Sequence, residues 1–563
     1  MNFMTGGVTP AGTDTPAAAG AQAGPAHLRR ESDLVIGVVS AISRGSAQVR
    51  FDRAAMETMS GQSDASIAMA GQVGSQIKMR VGPRWLVATV RTLALDGHSD
   101  AHIQADVDFL GEGDQEQLTG RIFRFRRGVT RFPVPGTQVL PVSSVDMDEI
   151  YSSHEEMRIE IGTVYPTTKT RAALLVDSLL GKHFALLGST GTGKSTAAAL
   201  ILHRICDLSP EGHIVMIDPH GEYGAAFATN GQVYHAGNLE LPYWLLNFEE
   251  HCEVMLTTDG AERQRDADIL AKCLLAARTK STQSQQFGKV TVDSPIPYLL
   301  TDLNQILVAE MGKLDRAGDT TPYQRLKNKL DELRADPRYA FMFSGMLVSD
   351  SMASFIAKLF RLPSHGRPIS IVDVSGVPSE VTSVVVSVLA RMVFDYAIWS
   401  RTEAQRPLLL VCEEAHRYVP KDESSGGQAV RKILERIAKE GRKYGVSLGL
   451  ITQRPSDLAE GVLSQCGTIV SMRLNNDRDQ ACVRAAMPEG ARGFLDAIPA
   501  LRNRECIVCG EGVAIPIRVR FDDLEPEKRP ASSDPSFANS WRETGDEEGI
   551  IQRTVKRWRG HGK

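Results

Sequence analysis

Beyond residue 33 the apolar positions first fall into short runs. Leu34 to Val39, Ala47 to Phe51, Trp85 to Val90 and Val139 to Val142 are β-rich and bounded by Gly, Ser, Asp and Pro. Several strands in such a short span predict a small β-barrel over residues 31–150. Past Ile161-Gly162 the pattern changes to apolar strands alternating with helical spacing, which builds a parallel sheet covered on both faces. The predicted buried strands are Phe184–Leu187, Ile214–Ile217, Ile369–Val374, Leu408–Cys412, Ser447–Ile451 and Thr468–Met472, inside an α/β domain spanning 151–524. From about Leu239 to Pro368 the apolar residues recur at helical intervals, as in Ile269, Leu270, Cys273 and Leu274, so this stretch reads as a helical insertion. Ala429, Val430, Ile433, Leu434, Ile437 and Ala438 repeat in the same way, and their helix closes at Glu440-Gly441-Arg442-Lys443. Near the end, Cys506–Cys509, Gly510-Glu511-Gly512 and Val513–Ile517 suggest a β-hairpin with a Gly-rich turn.

The two termini differ from this texture. Of the 27 residues from Met1 to His27, 19 are Ala, Gly, Pro or Thr and only Asp14 is charged, too little apolar surface to offset chain entropy. Residues 1–30 are therefore expected to form a disordered tail, and 525–563 a polar extension ending in the basic Lys556-Arg557-Trp558-Arg559. The chain carries 64 Lys+Arg against 68 Asp+Glu, a net charge of -4, which excludes nucleic-acid binding through bulk charge and requires any such site to be a local basic lining. Eight cysteines without dense spacing suit a reducing compartment. The apolar stretch Val384–Trp399 is broken by Arg391 and Asp395 and is not expected to cross a bilayer, and the N-terminus lacks a signal-peptide pattern. These features predict a cytoplasmic protein.

Gly188-Ser189-Thr190-Gly191-Thr192-Gly193-Lys194-Ser195 fits GxxxxGK[ST], follows an apolar strand and opens a helical run at Thr196. Backbone N–H groups of such a loop turn inward around a β-phosphate, the helix N-terminus adds its dipole, Lys194 brings a mobile positive charge, and Ser195 offers a hydroxyl to Mg²⁺. Hydrolysis also needs a carboxylate for the metal shell and a group for the attacking water. Asp218 and Asp373 each end a strand singly, whereas Glu413-Glu414 supplies two acids in a row. Adjacent residues at a strand end point to opposite sides, which assigns Glu413 to the metal shell and Glu414 to the water. The next strand ends in Thr452-Gln453-Arg454-Pro455, and Gln453 is placed to sense the γ-phosphate. By itself, Arg442 at a helix end reads as a surface cation favoured by the helix dipole.

The ordered set Gly188 to Thr196, Asp218-Pro219-His220-Gly221-Glu222-Tyr223, Glu413-Glu414-Ala415-His416, Gly441-Arg442-Lys443-Tyr444-Gly445 and Thr452-Gln453-Arg454-Pro455-Ser456 resembles the HerA/FtsK superfamily of P-loop motors, specifically its HerA-type DNA-translocating ATPases. Phe132-Pro133-Val134-Pro135-Gly136 resembles part of the small barrel that this family shares with rotary ATP synthase subunits. The resemblance implies a RecA-like core and an ATP- and Mg²⁺-dependent ring, a hexamer by family pattern, that threads double-stranded DNA with ATP between subunits. It also implies that Arg442 reaches the neighbour's site, with Arg436 and Arg454 as competitors, and that a separate effector protein sits at the barrel end. A nuclease of the NurA type and a NAD-hydrolysing sirtuin type are the effector classes it suggests, in DNA end processing or phage defence. The family's metal-binding acid is often Asp, where this chain has Glu413. Arg417, Lys421 and Arg431, flanking Ser424-Ser425-Gly426-Gly427, are the candidate DNA-facing pore cations. Two alternatives stay open: a nucleotide-gated scaffold that activates an effector with little translocation, and a secretion or conjugation ATPase.

Other signals are weaker. Cys506 and Cys509 form a CxxC without a second pair; Asn328-Lys329-Leu330-Asp331 spells a guanine-reading motif inside a helical pattern; Leu110 interrupts a calcium-like start at Asp106. His220 and His416 read as hydrogen-bonding groups around the nucleotide, and Trp541 and Trp558 as packing for the C-terminal segment.

Overall fold

The computed structural model describes residues 34–559, apart from 44, 97–98, 117–118, 152–156, 287, 314–317, 345–346, 423–426, 488–491, 532–536, 543–544 and 546. The predicted tail, residues 1–30, lies outside the described residues.

Seven strands form the N-terminal sheet: β1 (Gly37–Ser43), β2 (Ser46–Asp52), β3 (Gln76–Val81), β4 (Arg84–Leu95), β5 (His102–Gln115), β6 (Ile122–Arg127) and β7 (Gln138–Pro141). Their order β2-β1-β7-β3-β4-β5, with β5 pairing back onto β2, closes a six-stranded antiparallel barrel and leaves β6 outside the ring. Strand alternation fills the interior with Val39, Val49, Phe51, Ile77, Met79, Ala88 and Val107. On the opposite face Trp85, Leu110, Ile122 and Leu140 join the core of the second domain, so the barrel is packed on it rather than tethered.

The second domain is built on an eleven-stranded sheet. Its strands are β8 (Arg158–Val164), β9 (Arg171–Leu175), β10 (Phe184–Leu187), β11 (Ile214–Asp218), β12 (Gly231–Tyr234), β13 (Ile369–Asp373), β14 (Leu408–Glu413), β15 (Val446–Thr452), β16 (Thr468–Met472), β17 (Glu505–Gly510) and β18 (Ile517–Phe521). The order is β12-β13-β11-β14-β15-β10-β16-β17-β18-β8-β9. From β12 to β16 all pairings are parallel, and from β16 to β9 all are antiparallel. The central strands are buried along their whole length, which explains why they read as continuous apolar runs.

Three expectations change. The Gly-rich hairpin returns later than predicted: Val513–Pro516 is loop, and the strand opposite β17 is Ile517–Phe521. The strands β8, β9 and β12 are not among those predicted: all three carry mixed polarity, and β9 and β12, the sheet's two edges, pair on one side only. The helix Ser379–Trp399 is long and apolar enough to cross a membrane, with Arg391 and Asp395 no bar to that, yet it is mostly buried within the domain. Its Arg391 gives two hydrogen bonds to the buried Glu250 of the insertion, at 3.1 and 2.9 Å. The insertion itself is helical between β12 and β13, its longest helix being Gly260–Lys280.

Candidate active site

The carboxyl ends of β11, β14, β15 and β10 lie side by side, so the loops that follow them converge. The phosphate-binding loop leaves β10 and enters the helix Lys194–Leu208 through Gly193, which is left-handed at φ 96°, a conformation that costs glycine little. At Gly188 the constraint is space: a Cβ there would stand 2.9 Å from the Cβ of Met472. The loop is also pinned from outside, because the Ser189 and Arg504 N–H groups bond Arg473 and Thr192 carbonyls at 2.9 and 3.1 Å.

Lys194 points back into the chain and donates to Glu414 Oε1 at 3.2 Å, with both side chains buried. Glu414 is left-handed at φ 49°, ψ 46°, an uncommon and costly state for a side chain of this size. Glu413 ends β14 and keeps the strand's direction, with its carboxylate against Tyr223, while the left-handed turn at Glu414 goes with its contact to Lys194. Glu414 Oε2 lies 3.2 Å from His416 Nδ1, which is also 3.0 Å from the Thr452 hydroxyl. Burial holds the His416 imidazole below its ordinary pKa against the opposing pull of Glu414.

Glu413 Oε1 accepts from the Tyr223 hydroxyl at 3.0 Å. That phenol is fully buried and also within hydrogen-bonding reach of Ser195. Glu413 Oε2 is buried without a hydrogen-bond partner among the described residues. Burial, with Asp218 nearby, pushes the Glu413 carboxyl up to about 8. A buried carboxylate with an orphaned oxygen, bonded to a phenol that neighbours a serine hydroxyl, fits Mg²⁺, which takes few protein oxygens and fills its octahedron with phosphate and water; Ser195 and Glu413 would hold it. Asp218 is already committed: its carboxylate accepts N–H groups of His220, Gly221 and Tyr223 at 3.1, 2.9 and 2.9 Å. It shapes the turn that delivers Tyr223. Gln453 also joins the cluster, its Oε1 accepting from the Thr190 hydroxyl.

Arg442 stands elsewhere. It is exposed, in the turn Gly441–Tyr444 that precedes β15, and lines a cleft of about 1150 Å³ with His213, Leu408 and Val446. Those residues mark the amino ends of the parallel strands, opposite to the phosphate loop. Its competitors are engaged: Arg436 pairs with Glu440 at 3.4 Å and lies over the Phe394 ring, and Arg454 pairs with Asp457 at 3.6 Å. Among the pore candidates, Lys421 is bound to Glu460 at 2.6 Å and Arg431 to Glu435 at 2.9 Å. Arg417 is exposed and forms no ion pair among the described residues. Ser424, Ser425 and Gly426 lie outside the described residues.

Tyr223 is the site residue that had no assigned role in the sequence. Its signal, a hydroxyl five residues past an acid that ends a strand, becomes readable only once Asp218 is seen to fold the turn. Cys506 and Cys509 are free and buried, Asn328–Asp331 lies within the helix Thr321–Ala335, Asp106 and Asp108 lie within β5, and Trp541 and Trp558 are exposed in the single chain.

Residues 159–393 match the family described as Helicase HerA, central domain. The DNA double-strand break repair helicase HerA of Pyrococcus furiosus is 25% identical over 527 residues, covering 84% of this chain and 88% of that one. Its counterpart from Sulfolobus acidocaldarius is 24% identical over 431 residues, covering 76% and 80%. Among solved structures, VirB4 of Thermoanaerobacter pseudethanolicus aligns over 67% of this chain and 99% of its own, at 16% identity and a TM-score of 0.47. With its phosphate loop, its paired strand-end glutamates and these matches in sequence, the chain is an ATP-hydrolysing enzyme of the P-loop class that is similar to the HerA helicases.

Proposed function

We propose that this chain is the subunit of a RecA-like, ATP-driven motor that moves double-stranded DNA through a ring of like subunits, a hexamer by family pattern, in the cytoplasm. The observation that carries the reading is the separation of the site into two halves. Phosphate-binding and water-handling groups are assembled at one pole of the sheet, and Arg442, exposed and without an ion pair among the described residues, lies at the other. In this arrangement ATP lies between subunits. Lys194 releases Glu414 to hold the β- and γ-phosphates, Glu414 is freed to orient and deprotonate water, and Gln453 reports on the γ-phosphate through hydrogen bonds. Ser195 and Glu413 would hold Mg²⁺, which would neutralise charge on the transferring group. Arg442 of a neighbour adds a cation to the transition state, an effect worth ~10³–10⁵ in rate in related chemistry.

The relatives named for double-strand break repair support a role in processing DNA ends; the separate effector enzyme is what the motif resemblance implies. Duplex DNA added to the purified full chain should raise ATP turnover several-fold; turnover indifferent to DNA contradicts the motor reading.

A further inference from the structure

The strand left outside the barrel has an unusual composition. From Arg121 to Arg131 there are five arginines, at 121, 124, 126, 127 and 131, and no Asp or Glu, in a chain of net charge -4. All five are exposed, and none forms an ion pair among the described residues. Arg84 and Arg91 of β4, two strands away, do have partners, in Glu112 and Asp108 of the intervening β5. Phe123, just before Arg124, and Phe132, just after Arg131, are 46% and 49% exposed. The Arg124 guanidinium lies 5.2 Å from the centre of the Phe123 ring, which backs it. The strip is held firmly: β6 pairs with β5, and the Ile122 N–H bonds the buried Asp146 at 3.1 Å.

Edge strands often carry charge to prevent edge-to-edge pairing. That purpose is met by one or two charges of either sign, and five of one sign without an interleaved acid exceed it. Within the strand, Ile122–Arg127, a rise of ~3.3 Å per residue sets Arg124 and Arg126 ~7 Å apart, near the spacing of every second phosphate at 3.4 Å of rise per DNA strand, and Arg121 and Arg131 flank the strand's two ends. An array of planar guanidinium forks on a rigid strand suits phosphodiester oxygens.

We propose that Arg121–Arg131 forms a contact strip for the phosphate backbone of duplex DNA, separate from the ATP site and from Arg417. The inference rests on the motor reading above and adds a second place where the chain grips its substrate.

The test uses the full chain with Arg121→Glu, Arg126→Glu and Arg131→Glu combined, and a parallel set with Lys at the same positions. Binding of a fluorescent duplex is followed across a salt series, with single-stranded DNA as a second probe, and ATP turnover is measured with and without duplex. The Glu set should weaken duplex binding at least ~10-fold and lower the slope of log affinity against log salt by up to ~2.7, at about 0.9 per phosphate contact. Turnover without DNA, and the melting temperature, should match the parent, and the Lys set should retain the parent's slope. A Glu set that folds, stays soluble and binds duplex with the parent's affinity and slope overturns the strip and leaves edge protection as its role. Loss confined to single-stranded DNA also overturns it. If the parent itself neither binds duplex nor responds to it, the motor reading falls first and the strip with it.

Discussion

The two poles of the parallel sheet are built on opposite principles. At the carboxyl pole the groups that would handle nucleotide are already partnered within the chain: Lys194 forms an ion pair with Glu414, Glu414 also lies beside His416, and Glu413 accepts a hydrogen bond from the Tyr223 hydroxyl. At the amino pole Arg442 lies exposed beside an open cleft, with no ion-pair partner among the described residues. A buried ion pair broken by removal of one member costs several kcal/mol, whereas an exposed cation costs almost nothing to hold in reserve. One pole is therefore a pocket closed on itself until phosphate competes for Lys194, and the other is a tool that needs a second chain.

The sharpest way to break this contrast is at the amino pole. Arg442→Ala should lower ATP turnover by ~10³–10⁵-fold while nucleotide affinity, measured by calorimetry on the same preparation, stays within about twofold. A parallel loss of affinity would place Arg442 in its own subunit's pocket. Next in size is Glu414→Gln, which should reduce turnover by ~10²–10⁴-fold and leave ATP binding equal or tighter, because Lys194 loses the carboxylate that competes with phosphate. Weaker binding would mean that Glu414 supports the loop rather than restrains its lysine.

Tyr223→Phe should have an intermediate effect. It removes a hydrogen bond to a charged group, worth ~1.5–3 kcal/mol, and should weaken divalent-metal binding about 10-fold, read with Mn²⁺ by electron paramagnetic resonance in the presence of ADP. Unchanged metal affinity would reduce Tyr223 to a packing residue. The smallest effect lies away from both poles. Burial raises the pKa of Asp146 and the Lys78 ammonium, with hydrogen bonds from Ile122 and Ser143, lowers it by more, so the folded value lies below the ordinary one. Its stabilisation is complete above about pH 4 and is lost as pH falls through the folded value. Asp146→Asn should therefore lower the melting temperature at pH 7 and narrow its gap from the parent near pH 3. A gap independent of pH would assign the loss to packing.

Much of the carboxyl pole was legible in the sequence because its groups are contiguous or follow directly from strands. The loop from Gly188 to Ser195, the pair Glu413-Glu414 and Gln453 each announce their position by ending an apolar run. What escaped was set by conformation and long-range pairing. The left-handed turn at Glu414 has no compositional mark, yet it accompanies that residue's contact with Lys194. Asp218 and Glu413 look alike as strand-end acids, and only the three N–H bonds to Asp218 show that it folds a turn. Lys421 and Arg431 look like free cations until Glu460 and Glu435 are found beside them. The strip at Arg121–Arg131 was hidden for the opposite reason: its charges are plain, but that β6 stands outside a closed ring depends on β5 turning back to β2.

The central claim, that a working site forms only where two chains meet, is tested most directly by mixing. Lys194→Ala and Arg442→Ala subunits, each inactive alone, should recover part of the parent's ATP turnover when combined, with a maximum near equal proportions, since some junctions then pair an intact pocket with an intact arginine. No recovery at any ratio, in assemblies shown by mass measurement to contain both subunits, contradicts it.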